Sequence, residues 1–387
     1  MHTVIFTEQN RLSLLQSGKE YFPALIEAIN AAQAEIYLET YIFSLDEVGS
    51  AIRDALKCAA SRGVSVYVIT DWLGTLHIPG KMLENDLMSA GIEHHCFNPW
   101  FRHGIARTHR KLCVVDEKVA FVGGINIISD YRYDYADNRE MFAPRLDFAV
   151  RVQGPLVAYV HRAMQLQWMR TGKLRLISWI MHMRQGRAKL GRVFGKSGVA
   201  GFVVRDNLHN RRTIQRSYQR ALGFSRHSVY IANPYFAPAL KFCRALAHAV
   251  DRGVEVSILI GVGEFWMQDA VAKSFYRRLL KKGVKLYEYR KTQLHAKVAV
   301  IDDDWATIGS SNVDGISLFI NQEANVLVHD TAFAKDLRTY IEAALAESVE
   351  IRLDDFANRP WYKLWFYDVA FLIYRGLMRI VTLGDYT

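Results

Sequence analysis

The sequence predicts an α/β protein built by duplication. Three observations carry this: strand-like and helix-like segments alternate along the chain, one eight-residue chemical pattern occurs at both 109–116 and 295–302, and 387 residues, half of them hydrophobic, suffice for two cores.

The elements recur in the same order. Residues 23–34 have the spacing of an amphipathic helix leading into a strand at 36–43, and 211–236 repeat this, ending in a strand at 229–236. A second helix then stops at Arg62-Gly63-Val64 and again at Arg252-Gly253-Val254, where glycine supplies the left-handed residue that ends many helices. Strands at 64–70 and 254–260 follow. A third helix stops at Gly91 or Gly283, a short strand comes next, and then the repeated pattern arrives.

That pattern is His109-x-Lys111 closed by Asp116, and His295-x-Lys297 closed by Asp302. Side chains two apart on a strand share a face, so each His and Lys is expected to point into one cleft while Leu112, Val114, Val298 and Val300 face the core. Asp116 and Asp302 are grouped with them as catalytic-motif residues, expected to organise the cleft or the strand turn rather than react. Each copy continues through a second strand into Gly123-Gly124-Ile-Asn126 or Gly309-Ser310-Ser311-Asn312, a turn whose backbone N–H groups, with Asn126, Asn312 and Ser310, suit a phosphate oxygen. Further on, Asp147 aligns with Glu323, each able to hold a histidine ring N–H. The first half carries ten more residues before its carboxylate, an insert expected between 127 and 137.

The net charge of +10 and pI near 9.3 suit an anionic partner: nucleic acid, an anionic membrane or a phosphate-bearing substrate. The charge is uneven, because residues 148–205 hold eleven Lys or Arg and no Asp or Glu. Cys58, Cys96, Cys113 and Cys243 lack paired spacing, which argues for a reducing compartment and against structural zinc. The amino terminus lacks the apolar run of a signal peptide, and no apolar stretch is long enough to span a bilayer, so membrane contact is expected to be peripheral. Two segments offer it. Residues 173–184 mix cations with Trp179, Ile180, Met181 and Met183, as either an interfacial helix or a solvated connector. The aromatic tail at 361–379 suits either a headgroup-level anchor or a helix packed on the second half.

At the paired motifs, and at Leu38-Glu-Thr-Tyr-Ile-Phe43, Ile231-Ala-Asn-Pro-Tyr-Phe236 and Leu294-His-Ala-Lys297, the chain resembles the phospholipase D superfamily. Within it, the likeness is to bacterial cardiolipin synthases of the shorter kind without amino-terminal membrane helices. The resemblance implies two α/β/α sandwiches related by a pseudo-twofold with one active site at their interface, and no metal or other cofactor. The expected organisation is a first half at 1–172, a basic insert at 173–200, a second half at 201–355 and a tail at 356–387 that is membrane-associated or packed on the second half, the insert and tail being where the chain departs from the family. The resemblance also implies His109 as nucleophile and His295 as acid/base, with Lys111, Lys297, Asn126 and Asn312 on the phosphate oxygens and Asp147 and Glu323 tuning the imidazoles. The implied reaction moves a phosphatidyl group, expected to come from phosphatidylglycerol, to the glycerol hydroxyl of another phosphatidylglycerol; the residues themselves leave phosphatidylethanolamine open as donor and glycerol as acceptor. The implied setting is peripheral, on the cytoplasmic side of a bacterial inner membrane, with no nucleic-acid partner. A phosphodiesterase or nuclease of the same superfamily and an inert membrane scaffold are the alternatives, and oligomeric state is left open.

Overall fold

A computed structural model describes residues 4–102, 104–134, 140–172, 198–206 and 210–382. The connector reading of 173–184 falls outside them. In chain order the first half runs β1 (Phe6–Thr7), β2 (Arg11–Gln16), α1 (Ser17–Asn30), β3 (Glu35–Thr40), α2 (Glu47–Ser61), β4 (Ser65–Asp71), α3 (His77–Ser89), β5 (Glu93–Phe97), β6 (Leu112–Val115), β7 (Val119–Gly123), β8 (Phe148–Gln153) and α4 (Val157–Thr171). The second runs β9 (Val199–Arg205), α5 (Thr213–Phe224), β10 (Ser228–Asn233), α6 (Leu240–Asp251), β11 (Glu255–Gly261), α7 (Trp266–Leu280), β12 (Lys285–Tyr289), β13 (Val298–Ile301), β14 (Trp305–Gly309), α8 (Gly315–Phe319), β15 (Glu323–His329) and α9 (Thr331–Ala346). It ends with β16 (Val349–Ile351), α10 (Leu353–Ala357) and α11 (Trp361–Val381).

The duplication is explicit in the sheets. The first has the order β2-β8-β7-β6-β3-β4-β5, and β9-β15-β14-β13-β10-β11-β12 repeats it strand for strand in the second. In each, the two strands after the leading strand are parallel to it and the motif strand is antiparallel, so β3 pairs with β4 one way and with β6 the other. The second sheet has two extra edge strands, β1 and β16. The first of these departs from the expected boundary: Phe6 and Thr7 pair with Gly201 and Ala200, so the chain begins on the second half and then crosses to the first.

Both faces of each sheet are covered. Leu112 and Val114 join Val298, Val300, Phe148 and Val326 in a core shared between the halves, with α4 and α9 packed into it. Cys113 and Val115 point the other way, into a core under α1 and α2. Ala299 and Ile301 do the same under α5, α6 and α7. The motif strands are therefore buried on both sides, which is why they read as continuous apolar runs rather than alternating ones. The shared core holds the two sheets together, and it brings the amino-terminal ends of β6 and β13 to one seam.

The tail is a 21-residue helix, α11, that packs along α7 and satisfies the second-half reading of 361–379 on one face. Phe371 meets Phe275 edge-on at 5.4 Å, Phe366 stacks on Trp266 at 6.0 Å, and the Tyr374 hydroxyl accepts from the Gly315 N–H at 2.7 Å. Its other face exposes Trp361, Trp365, Leu372, Ile373, Leu377 and Ile380. Among the described residues no helix is long and apolar enough to cross a membrane.

Candidate active site

The seam between the halves is built from two reciprocal bridges. His109 N–H donates to Gln322 O (2.9 Å) and Gln322 N–H to Arg107 O (2.8 Å). In the mirror position His295 N–H donates to Leu146 O (2.9 Å) and Leu146 N–H to Gln293 O (2.9 Å). Each motif histidine is thus tied by its backbone to the residue just before the other half's carboxylate. The side chains follow. His109 Nδ1 lies 3.1 Å from Glu323 Oε1, and His295 Nδ1 lies 2.5 Å from Asp147 Oδ2. Each imidazole is therefore held by a carboxylate belonging to the opposite half. A neutral ring in this setting carries its proton on Nδ1 and leaves the Nε2 lone pair for the cleft.

The turns after β7 and β14 make these pairs possible. Ser310 Oγ donates to Glu323 Oε2, and Ser310 O sits 3.1 Å from His109 Nδ1. At the equivalent position Gly124 has no such hydroxyl, because a Cβ there would stand 2.3 Å from Asp147 Oδ1. Glycine is what lets that carboxylate close on His295.

Lys111 and Lys297 are both buried, and each ammonium donates to the backbone carbonyl of its own motif histidine, at 2.8 Å for Lys111 to His109 O. Loss of hydration and then repulsion from Lys297 push Lys111 down to about 7, while burial brings Lys297 to about 8 against the pull of Asp147. Burial and then the neighbouring lysine also hold His109 below the ordinary imidazole value, and His295 well below it. Burial raises Asp147 to about 6. Burial is the first cause of every one of these shifts, and the closeness of Lys297, Arg145 and Lys111 adds to the lowering at His295.

Asn126 is buried, with Oδ1 accepting from Ile42 N–H at 3.3 Å while Nδ2 has no hydrogen-bond partner among the described residues. Asn312 occupies the matching position and is likewise buried. Asp116 and Asp302 are not at the seam, and grouping them with the catalytic motif is corrected here. They lie at the far ends of β6 and β13. Asp116 accepts from the N–H groups of Gln33, Ala34 and Glu35 (2.8–3.0 Å), and Asp302 from those of Arg226, His227 and Ser228 (2.8–3.2 Å). Each pins the loop that precedes the neighbouring strand. Their motif spacing records strand length, not shared chemistry.

Around the histidines stand Glu39, Tyr41 and Asp71, which the sequence offers as cleft-lining or core residues, Arg205, and Asp134, which gave no sequence signal. Asp134, in the first-half insert, places Oδ2 3.7 Å from His295 Nε2 and is itself held by the buried Arg145 Nη1 at 2.6 Å. Glu39 and Asp71 clamp the approach to His109: Glu39 accepts from Thr108 Oγ1, and Asp71 from Thr108 N–H at 2.9 Å. Tyr41 presents its ring edgewise to His109 at 5.0 Å and takes Lys111 over its face at 5.3 Å. Arg205 braces the segment before Glu323 by donating to Phe319 O and Asn321 O.

Comparison with known proteins gives the family. The family described as "Cardiolipin synthase, PLD-like domain" matches residues 25–143 and 218–345, one stretch in each half. Cardiolipin synthase B of Escherichia coli strain K12 is 35% identical over 383 residues, covering 97% of this chain and 90% of that protein. Cardiolipin synthase 1 of Bacillus cereus is 27% identical over 359 residues, covering 91% of this chain and 70% of that one. Among solved structures, the phosphatidylserine synthase of Haemophilus influenzae shares the fold at a TM-score of 0.72 with 14% identity, over 98% of this chain and 96% of that one. With a match in each half and a relative this similar over nearly its whole length, the chain belongs to the phospholipase D-like cardiolipin synthase family.

Proposed function

We propose that the protein synthesises cardiolipin by two successive displacements at phosphorus. The Nε2 of His109 attacks a phosphatidylglycerol phosphodiester, the P–O bond to the headgroup breaks, and His295 gives its proton to the departing glycerol oxygen. A glycerol hydroxyl of a second phosphatidylglycerol then passes its proton to His295 and attacks, and the P–N bond to His109 breaks. Lys111, Lys297 and the Asn126 and Asn312 amides hold the non-bridging oxygens. The observation that carries this reading is the crossed pairing of His109 with Glu323 and His295 with Asp147, which gives both imidazoles a fixed tautomer at one seam. The substrate's negative charge is what lets His295 hold a proton as an acid, since the site without it favours the neutral ring. The enzyme works at a membrane surface, peripherally, on the cytoplasmic side of a bacterial inner membrane.

Enzyme mixed with phosphatidylglycerol carrying a labelled phosphate and then denatured in alkali is expected to retain the label, and acid treatment to release it. The His109→Ala variant is expected to retain none. Label persisting in that variant moves the nucleophile elsewhere, and release of phosphatidic acid without cardiolipin makes the enzyme a hydrolase.

A further inference from the structure

We propose that a cavity of about 380 Å³ beside His295 is the subsite for the acceptor, and that it selects a polyol carrying a phosphate. This rests on the double displacement above. In-line displacement puts nucleophile and leaving group on opposite sides of phosphorus, so an acceptor replacing the headgroup must enter from the side the headgroup left. With His109 as nucleophile, that side belongs to His295.

The cavity lies there. Gln293 and Leu294, the two residues before His295, form part of its wall. The first half contributes Phe142 and, from its insert, Tyr133, which precedes Asp134, whose carboxylate faces His295 Nε2. The second half supplies Glu264 and Lys273. Glu264 is fixed in place, because Oε2 accepts from the Tyr235 hydroxyl (2.8 Å) and Oε1 from Gln293 Nε2 (2.6 Å). Burial raises its carboxyl, and Asp134 nearby raises it further.

This lining states a preference. A positioned carboxyl group exchanges hydrogen bonds with sugar-like hydroxyls, and Gln293, which donates to it, lies two residues before His295. Arg290 and Lys291 on the rim already pair with Glu288 and Glu347. Lys273, whose charge acts on Asp269 one turn before it on the same wall, makes no salt bridge among the described residues and is the cation that a phosphate on the acceptor would meet. The first-half insert has no counterpart in the second half, and its Asp134, facing His295 Nε2, distinguishes the two histidines that the motif repeat leaves equivalent.

The test follows product partition in phosphatidylglycerol vesicles supplied with labelled glycerol. Each variant serves as its own control, because transfer and hydrolysis arise from one intermediate. Glu264→Gln is expected to lower the ratio of glycerol transfer to hydrolysis by about tenfold, the effect of weakening one or two hydrogen bonds to a charged group, and Glu264→Asp to recover part of it. Lys273→Ala is expected to reduce cardiolipin formation more than glycerol transfer, since glycerol has no phosphate. An unchanged ratio in Glu264→Gln overturns the subsite, as does an equal loss of both products in Lys273→Ala. Ethanolamine outcompeting glycerol makes it an amine site instead. Wild-type enzyme yielding neither transfer product defeats the synthase reading itself, a result distinct from any of these.

Discussion

His109 and His295 show how a two-residue spacing becomes a structured site only when another half of the molecule completes it. Neither imidazole is oriented by its own sheet; Glu323 and Asp147 do that from across the seam. Glu323→Gln keeps the shape but replaces a charged acceptor with a neutral amide, and a partner of this kind typically contributes 10- to 100-fold, so about a 50-fold loss in kcat is expected with KM little changed. A matching loss in KM alone would assign Glu323 to substrate binding. Lys111 makes the opposite kind of statement, since its folded value near 7 lies below the ordinary lysine value of 10.5. Between those two values the unfolded chain binds a proton that the folded chain does not, so this residue makes stability rise with pH across the window and costs the fold most at its lower end. Lys111→Met is expected to be more stable than the parent by on the order of 2 kcal/mol at pH 7, with the gap closing toward pH 10, while activity falls about a hundredfold or more. Equal urea midpoints for the two proteins at pH 7 would count against a strained, function-serving lysine.

At the scale of elements, the fold was largely legible because each half repeats its own punctuation. The glycines after α2, α6, α3 and α7 do end those helices, and Gly63, Gly91, Gly253 and Gly283 all adopt positive φ. The motif strands were found through the His-x-Lys repeat, and Leu112 and Val114 do face the shared core, while Cys113 and Val115 are as buried in the core on the other face. A layer on each face erases the polar side from which period two would be read. Of the candidate site, the His, Lys, Asn and carboxylate positions announce themselves by recurrence, whereas Asp134 cannot, because it lies in an insert that the second half lacks. Asp116 misleads for the converse reason: it recurs because both motif strands need the same brace. Its carboxylate occupies three N–H groups ahead of β3, a capping role, so Asp116→Ala is expected to lower stability by about 1–2 kcal/mol. Activity per folded molecule should be retained, measured at a temperature where the variant is fully folded. A collapse of kcat in folded Asp116→Ala would return this residue to the active site.

For the whole molecule the open question is how a seam this buried meets a substrate that lives in a bilayer. The apolar face of α11 supplies the geometry. The end of the helix is not remote from the site, because Met378 and Tyr374 pack with Ala106, Phe319 and Ile320, on the loops that lead into His109 and Glu323. Exposed residues continue the same character around those loops, with Trp100, Phe101 and Ile105 ahead of His109 and Ile316 on α8. Together with Trp361 (78% exposed), Trp365, Ile373 and Ile380 (75% exposed), they place aromatic and aliphatic side chains near the entrance, in a protein of net charge +10. Aromatic rings favour the headgroup level and basic charge favours an anionic leaflet, so this side of the molecule is the one expected to rest on lipid. Removing α11 outright would strip cover from α7, so the discriminating change is on the outer face alone. Trp365→Ser combined with Ile373→Ser leaves Phe371 and Tyr374 on α7 and is expected to weaken sedimentation with phosphatidylglycerol vesicles by about tenfold or more, at roughly 1–3 kcal/mol for each buried apolar side chain lost. Turnover of a short-chain substrate below its aggregation threshold should be unaffected. Undiminished vesicle binding in the double variant would move the membrane face to another part of the surface, and an equal loss on the soluble substrate would mean that α11 shapes the cleft instead of delivering the enzyme to its lipid.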